Sequence, residues 1–279
     1  MEVLLAIREL RRIAKPCLEK RQDKVQFPVH FTFMLVLERL ETSLESLELL
    51  VENNPLQHEH AIGLICRNIL SDTIITGYII KSSELVERQP KEADSPASDR
   101  GVQSSTDLEG RLHKKLYSLY YDDLQRMVRI AELFQKAGAL SDEEAQRYNA
   151  QFQKTTSMYK LIHDYAKEFN IEPFPPNTLI FKWLLQSNQQ DGWIKELQSS
   201  FDVWIYFSKY EHLGLHAYEF TRDLDPKKIE SRLKLVLRLA ALLLSSCLEM
   251  LGKEDRLEES MAIYRQLLSV PTVAPPTHE

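Results

Sequence analysis

Chemistry in this chain is best sought where polar, titratable side chains are set among apolar ones. The stretch SSFDVWIYFSKYEHLGLHAYEFTRD, residues 199–223, is the densest such place. Ser208, Glu211, His212 and His216 stand there among Phe201, Trp204, Tyr206, Phe207, Tyr210, Tyr218 and Phe220, a mixture that a plain solvated helix rarely carries. At about 100° per residue, Ser208 and His212 share a face with Phe201, Trp204 and Ile205, and Val203, Phe207 and Tyr210 fall on the other. A histidine so placed is either a core residue bonded to a neighbouring carbonyl or carboxylate, or a group able to move a proton at neutral pH.

A second charged residue in apolar surroundings lies far upstream. Arg67 points between Leu64, Leu70, Ile74, Ile75 and Tyr78, with no acidic side chain three or four positions away, so its guanidinium must be met from another helix. Glu211 and Asp202 are the expected partners. The expected polar centre therefore joins Arg67, Asn68 and Asp72 on one helix to Ser208, Glu211 and His212 on another, with Arg67 and His212 the candidates for any catalysis.

The helices that must hold these groups follow from apolar periodicity. A first helix, to about residue 24, buries Val3, Leu4, Ile7, Leu10 and Ile13, carries a basic face of Arg8, Arg11, Arg12 and Lys15, and should kink or break at Pro16. A second follows Pro28, puts Glu38, Glu41, Glu45 and Glu48 on its wet side, and stops at Asn53-Asn54-Pro55. The helix bearing Arg67 covers about 58–87. Residues 88–107, rich in Ser, Pro, Asp and Gly, read as a flexible loop. A fourth helix at 108–137 has one long apolar stripe ending in Met127, Ile130 and Phe134. A fifth starts at the capping box Ser141–Glu144 and runs to about Glu168. Then come a short helix at 178–186, the focal helix at 193–213, a helix from Pro226 whose second half is apolar nearly all round, and a last one at 254–268 before a Pro-rich tail, 270–279. With 8 Gly and no valine-rich alternation, the expectation is an all-α single domain, a bundle of long antiparallel helices.

Composition narrows the function. A net charge of -6 does not favour RNA or DNA held by general electrostatics. Cys17, Cys66 and Cys247 read as buried thiols of a reducing compartment, the longest apolar run (239–244) is far short of a membrane span, and the charged start fits neither signal peptide nor anchor; the expectation is a cytoplasmic protein. His58 and His60 do not share a helical face, and no HExxH, acidic cluster, GxGxxG, P-loop or GxSxG occurs, so neither metal nor cofactor is expected.

Two segments carry a family likeness. LICRNILSDTIITGYII (64–80), with an arginine deep in a long apolar helix, and WIYFSKYEHLG (204–214), with Ser and His four apart, resemble an uncharacterised family of mostly bacterial helical proteins related to the HEPN superfamily. The resemblance implies a HEPN-like helical core and a place in a prokaryotic defence or stress system. Active members are metal-independent RNases whose motif is Arg, a polar residue, then His after four to six intervening positions, usually assembled at a dimer interface. Arg67-Asn68 looks like its opening; Asp72, Thr73 and Ile74 stand where the histidine would be. The first reading is thus a binding or assembly protein, with an unknown protein partner or a second copy. The alternatives are a divergent RNase or phosphodiesterase using Arg67 and His212, and a scaffold whose polar centre only fixes helix register.

Overall fold

The computed structural model of the chain describes residues 2–19, 27–55, 57–84, 105–152, 157–187, 191–208 and 226–268. Among them all regular structure is α-helical, in ten helices: α1 (Val3–Glu19), α2 (Val29–Glu52), α3 (Glu59–Glu84), α4 (Ser105–Lys136), α5 (Asp142–Phe152), α6 (Ser157–Glu168), α7 (Asn177–Gln186), α8 (Gly192–Ser208), α9 (Pro226–Met250) and α10 (Glu254–Leu268). Two compact units result, Met1–Tyr78 with Ile180–Glu279, and Ile79–Leu179, the divisions falling inside α3 and α7.

In the first unit α9 is the central element. Every residue of its span 236–248 is buried, as its nearly uninterrupted apolar sequence requires, and each large aliphatic side chain withdrawn from water there contributes roughly 1.5 to 3 kcal/mol. It packs against α1, α2, α8 and α10. The turn into α10 uses Gly252 at φ +64, a left-handed conformation that costs glycine least, with Lys253 N–H donating to the Leu248 carbonyl at 2.8 Å and closing the end of the helix. Ser260 of α10 then reaches back to the Ala241 carbonyl (3.0 Å) and to Ser245 Oγ (2.9 Å), so hydroxyls at this buried crossing are satisfied.

The α1/α2 pair corrects two expectations. α1 runs through Pro16 to Glu19: the bond a proline forgoes there is the one to the carbonyl of Arg12, an exposed residue whose carbonyl water can serve. Three of the four glutamates assigned to the wet side of α2, Glu41, Glu45 and Glu48, instead form a seam with the arginines of α1. Arg11 reaches Glu41 (3.0 Å), Glu45 (2.6 Å) and Glu48 (2.6 Å), and Arg8 reaches Glu48 (2.8 Å) and Glu52. The order of these pairs, early residues of α1 against late residues of α2, makes the two helices antiparallel.

In the second unit α4 packs on α5 and α6. Ser141 and Glu144 form the expected capping box: the Ser141 N–H donates to Glu144 Oε2 at 2.9 Å and the Glu144 N–H to Ser141 Oγ at 3.2 Å. The helix expected to run on to Glu168 is described as α5 and α6, with 153–156 outside the described residues. The loop expected at 88–107 gives way to helix at Ser105, and the rest of it lies outside the described residues. The apolar stripe of α4 is buried only through its first part: Leu112, Leu116 and Leu124 are covered, whereas Met127, Ile130 and Phe134 are exposed.

Candidate functional site

The residues singled out on α3 and α8 lie in the first unit. Gly77 of α3 makes room for side chains of α8: a Cβ there would fall 2.4 Å from a ring carbon of Trp193 and 2.5 Å from a methyl of Leu197, so any larger residue would force them to shift. Asp191 caps α8, its carboxylate accepting from the N–H groups of Trp193 (2.8 Å) and Ile194 (3.2 Å). Six residues before Gly77 on α3, Ser71 accepts a hydrogen bond from the indole N–H of Trp204 at 3.1 Å. One turn further back, the Arg67 guanidinium lies 5.5 Å from the centroid of the Trp204 ring. This is a cation–π contact, and it is partly desolvated: Arg67 is half-buried, and burial holds its pKa below the usual arginine range. Trp204 is held in turn by Phe181, 5.1 Å away, which also meets Phe201 at 4.4 Å.

Arg67 and Trp204 are thus brought together, and Asn68, the next residue of α3, is exposed. Ser208, one turn after Trp204, donates its hydroxyl to the Trp204 carbonyl at 2.7 Å, so that proton is committed to its own helix. Ile205, expected on the covered face with Trp204, is 40% exposed. The focal helix is described to Ser208; Glu211, His212 and His216, and the side chain of Asp202, lie outside the described residues. Among the described residues Arg67 meets an indole face; the carboxylates expected to meet it, Glu211 and Asp202, are not among the side chains described.

Asp72 serves a different seam. Five residues on from Arg67 along one continuous helix, it is turned about 140° away, and its carboxylate meets Arg39 of α2 at 3.1 Å. The Asp72 side chain keeps 16% of its exposure and Arg39 56%, so the carboxylate is buried while its counter-charge is largely in water. Burial pushes the Asp72 carboxyl up to about 6, against the downward pull of Arg39. The buried Cys247 thiol of α9 is near enough to feel this charge; burial first, and Asp72 second, raise its pKa. Thr73 is buried with its hydroxyl donating to the Ile69 carbonyl at 2.7 Å, and Ile74 is buried in the core. Of the positions where a histidine would complete an Arg-polar-His motif, one faces α2, one bonds its own helix and one is core.

Sequence reasoning passed over a further polar cluster. Arg238, within the most deeply buried helix, pairs with Glu196 of α8 at 2.9 Å, their side chains only 11% and 14% exposed. Tyr264 of α10 shares Glu196: burial, then the Glu196 charge and the hydrogen bond to it, push the phenol up to about 12. The signal was Arg238 within the apolar run LVLRLAALLLSSC, the same signal that marked Arg67. Three helices are tied through one neutralised pair. Among the described residues no group of three or more His, Cys, Asp or Glu is placed to hold a metal ion.

No family model, curated protein or solved structure matches the chain.

Proposed function

We propose that this chain is a HEPN-like helical protein whose work is binding or assembly, with Arg67 and the exposed Asn68 as its recognition pair. The observation that carries this reading is the divergence of Arg67 and Asp72: one guanidinium on an indole of α8, the other position paired to Arg39 of α2. A cleavage site would need an acid or base within hydrogen-bond reach of the atoms Arg67 addresses; Asp72, where the motif's histidine would stand, addresses a different helix and does not supply it, and His212 lies outside the described residues. A half-buried arginine over an indole ring, followed in the chain by an exposed amide, suits recognition of a polar or anionic group on a partner. The family likeness adds a prokaryotic defence or stress system as the setting. The three buried free cysteines fit a reducing cytoplasm, and among the described residues no helix is long and apolar enough to cross a membrane.

The test is incubation of the purified full chain with single-stranded RNA in excess EDTA, alongside Arg67→Ala. The binding reading expects no cleavage above the level of the variant. Cleavage by the parent protein that Arg67→Ala abolishes would overturn it in favour of a divergent RNase.

A further inference from the structure

We draw no further inference here: the strongest candidate, the exposed apolar stripe of Met127, Ile130, Leu133 and Phe134 on the second half of α4, carries nothing because nothing in the structure shows what covers it.

Discussion

Arg67 and Asp72 differ in what surrounds them, and their substitutions should differ in kind. A guanidinium lying on an indole contributes on the order of 0.5 to 2 kcal/mol, together with the packing of its methylenes. Loss of the indole contact and of this packing in Arg67→Ala is expected to lower stability by at least about 1 to 2 kcal/mol in urea unfolding, and Arg67→Met to recover part of that by refilling the space over Trp204. A loss of about 4 kcal/mol or more would instead indicate a stranded buried carboxylate. For Asp72 the expectation is a pH dependence. Its folded pKa, about 6, lies above the ordinary carboxylate value, so between roughly pH 4 and pH 6 the folded state binds the extra proton. Stability from this group is full below about pH 4 and is lost as pH rises through about 6. A carboxyl raised this far in the folded state costs about 3 kcal/mol once it is ionised there, a figure that already includes the opposing attraction of Arg39. Thermal unfolding from about pH 4 to 7 should therefore show a fall in the parent protein that Asp72→Asn removes; parallel profiles would contradict the burial argument.

At the scale of elements, the ion pairs divide into two kinds. The seam of α1 on α2 is partly solvated, with Arg8 half exposed, and such contacts are individually worth about 0 to 1 kcal/mol. The Glu196–Arg238 pair between α8 and α9 is buried, so removing one member leaves a charge with no compensation. Arg238→Ala should cost roughly 3 to 5 kcal/mol, whereas replacing both members with apolar residues, Arg238→Met with Glu196→Leu, should cost distinctly less. Chemical denaturation of the two variants decides it: equal losses would show that Arg238 matters for its packing and not for its charge.

Over the whole molecule, what could be read in advance was what local periodicity dictates. The last helix, 254–268, the stop of α2 at Asn53 and the Ser141 capping box depend on residues within one or two turns, and they stand where the pattern puts them. The depth of α9 was legible for the same reason, since an all-round apolar run has no wet face to offer. What was not legible depended on partners distant in the chain. A row of glutamates at helical spacing looks the same whether it meets water or the arginines of α1. The sequence marks Arg67 and Arg238 as charges in apolar helices, but it does not say that one will meet an indole and the other a glutamate. The stripe of α4 shows a related limit, because amphipathic spacing gives a face without giving its cover.

The central claim is that Arg67 and Asn68 form a recognition face. Asn68 is exposed, so Asn68→Glu can offset the positive charge of Arg67 without disturbing the packing of α3. The most direct measurement is quantitative co-purification of the tagged full chain with a differently tagged second copy and with proteins of its native cell, comparing parent and Asn68→Glu at matched thermal stability. The account predicts that the parent protein retains a copy or a partner in stoichiometric amount and that Asn68→Glu loses it at least tenfold; equal retention by both would contradict the assignment of this face.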